Sequence, residues 1–213
     1  MNNATKEDFN VWPVLIDMIT SVLIIFILYS FLDQILNQRN LDLLLIDKKR
    51  QRFSTLLTND FRNEISQSKM ILTPEFNYLK VTFRDQLLFP IKQHGRTVIT
   101  REGQRVLNGC SSLIKDNSDE LGIEEIQVEG HTDSDRIGSD DGKIKDNWDL
   151  SSQRAITITR YLTDAVDPEE VLFSANGFSK FNPIAENTSE SNKSQNRRIE
   201  LKIFFQGIEK TED

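Results

Sequence analysis

Cysteine and histidine are scarce in this chain: one Cys (Cys110) and two His (His94, His131) among 213 residues. A single thiol excludes an internal disulfide, and three scattered soft ligands are too few for a structural zinc site. No metal and no cofactor is expected on that count. Positive charge is also short, 26 Lys and Arg against 33 Asp and Glu, for a net charge of −7. That balance argues against a broad phosphate-binding surface, and so against nucleic acid as a partner. A Gly-rich phosphate loop is absent, and neither His131 nor Ser151 has an acid spaced to complete a triad, so no enzyme is expected. Apolar residues are few overall at 38%, too few for a polytopic membrane protein, yet they are spread very unevenly.

The concentration lies at 11–32, VWPVLIDMITSVLIIFILYSFL, 22 residues with Asp17 as the single charge. As a helix this stretch reaches roughly 30 Å, the thickness of a bilayer core. Trp12 and Tyr29 stand where interfacial aromatics are expected, and Pro13 falls in the first turn, where a missing N–H costs little. A cleaved signal peptide fits less well, because Glu7 and Asp8 offset Lys6 and Asp17 interrupts the apolar run. Lys6 on one side against Arg39, Lys48, Lys49 and Arg50 on the other would place the C-terminal side in the cytoplasm.

An ionisable carboxylate within a span costs a few kcal/mol, so Asp17 reads as a group that takes up and releases an ion. Thr20, one turn on, can offer a hydroxyl to the same face. The plainer alternative is that Asp17 only pairs with a neighbouring helix. Asp33, at the aqueous edge, is a flanking charge.

Residues 33 to about 68 contain neither Gly nor Pro. Phe53, Leu56, Leu57, Phe61 and Ile65 form one helical stripe, which suggests self-association or docking. The run Asp47 to Arg52 (DKKRQR) reads as a solvated face. Past Pro74 strands and helices alternate. Strands are expected at Tyr78–Phe83, Ile123–Glu129, Val171–Ala175 and Ile199–Phe205, with a short one at Thr97–Ile99. Helices are expected from Arg101, capped by Thr100, to about Lys115, and from Leu150 to Ala165. The fold class is α+β: an N-terminal transmembrane helix, a helical linker and a βαβαβ domain with helices packed on one sheet. The expected divisions are a tail at 1–10, the span at 11–32, the linker at 33–75, the domain at 76–206 and a tail at 207–213.

Within that domain, Gly130-His131-Thr132-Asp133 is followed by Asn147-Trp148-Asp149-Leu150-Ser151-Ser152-Gln153-Arg154-Ala155. Asn176-Gly177-Phe178, Asn182-Pro183-Ile184-Ala185-Glu186-Asn187 and Asn196-Arg197-Arg198-Ile199-Glu200 come next. In this order the motifs resemble the OmpA-like peptidoglycan-binding domain. Side by side, a carboxylate and a guanidinium recognise a zwitterion: Asp133 would take the amine of diaminopimelate and Arg154 its carboxylate, bidentate. The resemblance implies Thr132, Asp133, Asn147, Leu150, Arg154, Arg197 and Arg198 as the residues binding the wall's stem peptide. A structural Asp133–Arg154 salt bridge is the alternative. Sixteen residues, Ser134 to Asp149, separate the Thr-Asp and Leu-Ser pairs where the family has about ten. The added loop fails as an EF-hand, since Ile137 and Ile144 fall at ligand positions.

Span, linker and domain together resemble the B subunits of MotB-type ion-driven motors, and Trp12 with Asp17-Met18-Ile19-Thr20 is similar to their tryptophan–aspartate–threonine core. The resemblance implies two B subunits inside a ring of five multi-span A subunits (MotA- or ZorA-like), with Asp17 relaying the ion. It also implies an inner-membrane protein with a cytoplasmic N-terminus and a periplasmic C-terminal domain, against the charge count. The short segment before Trp12 and the roughly 45 residues between Leu32 and Tyr78 resemble the ZorB family of Zorya anti-phage systems more than a flagellar MotB. A flagellar stator subunit and a passive OmpA-family tether remain the alternatives. Asp17 discriminates against the tether, which has no use for a carboxylate in the span.

Overall fold

The computed structural model describes residues 11–90, 97–137, 144–167 and 169–207. They fall into two compact units, Met1–Leu43 and Leu44–Asp213. In the first, the described residues from Trp12 on belong to helix α1 (Trp12–Asp60). Among the described residues it is the one helix long and apolar enough to cross a membrane. Its apolar side chains stand exposed, Ile25 at 65% and Phe26 at 64%. The Thr20 hydroxyl donates to the main-chain carbonyl of Asp17 at 2.9 Å, the usual back-bond of a helical threonine.

The second unit comprises the rest of α1, then α2 (Arg62–Ser66), β1 (Met70–Pro74), β2 (Tyr78–Arg84), α3 (Asp85–Leu88) and α4 (Arg101–Leu121). These are followed by β3 (Ile123–His131), α5 (Asn147–Thr163), β4 (Leu172–Gly177), α6 (Glu190–Asn196) and β5 (Arg198–Phe205). The five strands form one sheet in the order β1-β2-β5-β3-β4. Only β3 and β4 run parallel, with α5 as their crossover; the other pairs are antiparallel. Side chains alternate across the sheet. Val81, Phe83, Ile126, Val128, Leu201 and Ile203 join the core with Val106, Leu107 and Ile114 of α4 and Ile158 and Leu162 of α5. The opposite face carries Lys80, Thr82, Glu129, His131, Arg198, Glu200 and Lys202. This is an α+β domain with helices on its sheet.

Local chemistry sets the helix ends. Thr100 caps α4 by accepting from the Gly103 N–H at 2.9 Å, and Gly122 closes it in the left-handed region, φ +57°. The helix therefore runs six residues past Lys115. Asp146 caps α5 through the N–H groups of Trp148 and Asp149, starting it three residues before Leu150. Thr97–Ile99, expected as a short strand, is irregular chain leading to the Thr100 cap. Strand β1 was not anticipated. Gly130 and Gly177 let α5 lie close on the sheet: a Cβ at Gly130 would stand 2.1 Å from the Ser151 carbonyl oxygen.

The Phe53 stripe docks on its own domain. Phe53, Leu57 and Phe61 are buried to 2% exposure or less, and Phe53 meets Phe205 edge to face at 6.1 Å. The Asp47–Arg52 run, expected as a solvated face, forms long-range polar contacts beside it. Lys49 donates to the Gln206 carbonyl at 2.8 Å, Arg50 to the Glu75 carbonyl, and Arg52 to both Glu120 oxygens at 2.5 and 2.9 Å. Burial also pushes the Cys110 thiol pKa far above its ordinary value, with the carboxylates of Asp60 and Glu64 adding to the effect. Leu57→Asp and Phe61→Asp are therefore expected to lower the second unit's stability by at least about 3 kcal/mol, a core cavity plus a desolvated charge. Urea unfolding measures this, and near-native midpoints for both would show that the stripe is not core.

Candidate functional site

The first motif builds a cleft. Strand β3 delivers Thr132 and Asp133 just past its end, α5 presents Leu150 and Arg154, and α3 begins at Asp85 beside the start of β5. Together with Arg136, Ile137, Glu190, Ser194 and Arg197, these line a cavity of about 230 Å³. The Asp85 N–H donates to the Arg197 carbonyl at 3.1 Å, tying α3 to the residue that precedes β5.

Asp133 and Arg154 share this cleft without bonding to each other. Asp133, 2% exposed, takes Arg197 Nη1 on Oδ2 at 2.5 Å and the Asp135 N–H on Oδ1 at 3.0 Å. Arg154 donates through Nη1 to Asp85 Oδ1 at 2.5 Å, and its guanidinium lies 4.6 Å from the Phe89 ring centroid. Arg154 Nε is buried with no hydrogen-bond partner among the described residues. The direct Asp133–Arg154 bridge named as the structural alternative does not form, because each group already has its own counter-ion.

Electrostatics follow from these pairs. Burial raises the Asp85 carboxyl above its ordinary pKa, although the charge and hydrogen bond of Arg154 pull the other way. Burial works against the Arg197 charge, yet the hydrogen bonds it donates to Asp133 and Glu190 (2.6 Å) outweigh it and leave its pKa raised. Lining carboxylates are Asp85, Asp133, Asp135 and Glu190; Arg136, Arg154 and Arg197 oppose them. Lys193 balances Asp135 at 2.6 Å. Four charges of each sign leave the cleft nearly neutral, which suits a zwitterion better than a bare cation or anion.

The expected site residues divide. Thr132, Asp133, Leu150, Arg154 and Arg197 line the cleft. Asn147 lies behind it: Nδ2 donates to the Asp133 and Asp135 carbonyls at 3.2 and 2.8 Å, fixing the loop that holds both carboxylates. Arg198 points away from the cleft, because neighbouring strand residues face opposite sides. At 1% exposure it donates to Glu200 at 2.6 Å and to the Asn196 and Asn182 carbonyls at 3.2 Å each. Asn196 holds the same loop, accepting from the Ile184 and Ala185 N–H groups. The second motif is thus largely scaffold. Asp85, Glu190 and Ser194 were missed; an acidic residue directly after a strand was the one signal for Asp85. Residues 138–143 of the added loop lie outside the described residues, as does His94. Asp17 and Thr20 stand on the exposed α1 segment of the first unit.

Comparisons with known proteins bear on the fold that holds this cleft. The OmpA family's sequence profile, described as "OmpA family", matches residues 93–197. Motility protein B of Bacillus subtilis is 28% identical over 135 residues, 63% of this chain and 48% of that protein. Outer membrane protein A of Bordetella avium is 29% identical over 125 residues, 58% of this chain and 57% of that protein. The chain thus spans about half the length of these two relatives. A MotB-like protein from Desulfovibrio vulgaris superposes with TM-score 0.63 at 24% identity, covering 79% of this chain and 99% of that one. The cell wall anchor of the T6SS from Pseudomonas aeruginosa gives 0.59 at 22%, over 70% and 97%. These likenesses establish the fold of the second unit, an OmpA-like domain.

Proposed function

We propose that this chain anchors to peptidoglycan and serves as the B subunit of an ion-driven motor in the inner membrane. The carrying observation is the cleft, where a buried carboxylate and a buried guanidinium face one small cavity with separate counter-ions. A stem-peptide zwitterion can join those pairs, its ammonium on Asp133 and its carboxylate on Arg154, while Glu190 still holds Arg197. Thr132 and Leu150 shape the wall of the cleft, Arg197 holds Asp133, and Asn147 and Arg198 act from behind. The similarity to a motility protein B and to a cell wall anchor supports the same reading.

Residues 11–32 are the span in this reading, with the N-terminus cytoplasmic and the second unit periplasmic, where the wall lies. Asp17 relays the ion, with Thr20 one turn away, to a multi-span A subunit. The assembly is five A to two B, which makes this chain a homodimer. Phe53 enters the domain core only 21 residues after Leu32, a short connection that favours the ZorB type of anti-phage motor over a flagellar stator. The full-length chain in detergent is expected to co-sediment with peptidoglycan containing diaminopimelate and to be released by free diaminopimelate. Equal sedimentation of a denatured control would make the anchoring non-specific and remove the reading.

A further inference from the structure

The sheet face opposite the helices holds a second buried polar cluster that the cleft does not use. Glu129 and His131 lie on one side of β3, and Glu200 pairs with Glu129 across the β3–β5 ladder. All three are buried, at 3%, 2% and 6% exposure. Lys202 takes Oε1 of Glu129 at 2.6 Å, and Arg198 takes Oε1 of Glu200 at 2.6 Å. Among the described residues, Oε2 of Glu129 and both ring nitrogens of His131 are left buried without a hydrogen-bond partner. Buried polar atoms left without a partner are costly unless something occupies the space beside them.

The spacing indicates what fits. His131 Nε2 stands 3.6 Å from Glu129 Oε2, too long for a hydrogen bond. Two tetrahedral ligands of one ion at about 2.0–2.2 Å stand about 3.3–3.6 Å apart, so the pair has the separation of zinc ligands. A carboxylate oxygen of Glu200 lies with them, all three ligand atoms within 4.8 Å of one another. An imidazole among the donors disfavours calcium and magnesium, which take oxygen. Lys202 and Arg198 pair with the outer oxygens of the two carboxylates and leave Glu129 Oε2 facing the imidazole. His131 stacks on Phe178 at 5.1 Å, which fixes the ring plane.

We propose that Glu129, His131 and Glu200 form a zinc-type divalent transition-metal site on the sheet face behind the cleft. Counting Cys and His along the chain could not find it, since two of its three ligands are glutamates and one comes from another strand. The test uses the full-length chain in detergent, stripped with chelator and titrated with zinc chloride, then with cobalt chloride. The expected result is one zinc per chain, a higher melting temperature and a tetrahedral cobalt absorption band. His131→Phe keeps the ring and its stacking and should weaken zinc binding at least about 100-fold, since loss of an outer partner alone costs 10–100-fold. If that variant misfolds by circular dichroism, Glu129→Gln, which keeps size and polarity, decides the matter with the same expected loss. No stoichiometric zinc in the wild type, or undiminished binding in the folded variant, overturns the site. So does loss of binding in His94→Ala, because the zinc would then be held at the chain's other histidine.

Discussion

Asp17→Asn is expected to abolish motor-dependent function while leaving the protein in the membrane at wild-type abundance. Asn has nearly the same shape and hydrogen-bonding reach as Asp but cannot take up or release a proton at any accessible pH. A group that merely joins helices loses little by the change, because an amide hydrogen-bonds across a helix interface about as well as a carboxylic acid does. A relay loses everything. The readout is phage challenge or motility, according to the system that carries the chain, alongside co-purification with the multi-span partner. Wild-type function with Asn at position 17 would end the relay reading and leave a tether. Asp33→Asn is the control: its carboxylate accepts from Asn37 Nδ2 at 3.0 Å one turn away, a bond an amide oxygen can replace.

Arg154→Ala is expected to eliminate co-sedimentation with the wall, and Asp133→Ala to do the same by a different route. Loss of Arg154 removes the ligand carboxylate's partner and also leaves the half-buried Asp85 without its cation. The binding cost is therefore about 2–5 kcal/mol, a 30- to several thousand-fold loss of affinity. Loss of Asp133 removes the ammonium's partner and frees Arg197, which Glu190 still holds. Because the two residues are not bonded to each other, their effects have separate causes, and Asp85→Asn tells them apart. It keeps a hydrogen-bond acceptor for Arg154, removes a carboxyl whose pKa burial has raised, and should retain binding. Asp85 is easier to keep protonated when folded, so its contribution to stability is complete below its unfolded pKa and declines as pH rises through the higher folded value. Asp85→Asn should flatten that decline in thermal melts. Wall binding by folded Arg154→Ala and Asp133→Ala would remove the pair from the anchoring site.

Much of the architecture was legible from the sequence because its signals are local. Alternation marked β2, β3 and β5 to within two residues, and the Thr100 cap placed the start of α4. Strand β1 escaped because MILTP has little alternation and ends in Pro, a residue tolerated on an edge strand such as this one. The cleft was half legible. Asp133 and Arg154 sit in a recognisable motif, whereas Asp85 gains its role only when α3 starts beside Arg197, an arrangement set by the pairing of β2 with β5. Arg197 and Arg198 could not be told apart until the pleat put one on the cleft and the other against Glu200. The Phe53 stripe was recognised as a stripe, but a period of 3.6 says that a face is covered and not by what.

The buried state of Cys110 has a practical use in reagent chemistry. At 2% exposure, with its ionisation suppressed, this thiol presents almost no thiolate to a maleimide or a methanethiosulfonate. The unaltered chain is therefore a silent background, and no native cysteine has to be removed before reporters are introduced. A single cysteine on either side of residues 11–32 becomes a direct reporter of sidedness to a reagent that cannot cross the bilayer. One placed beside the cleft becomes a footprint that wall fragments can mask.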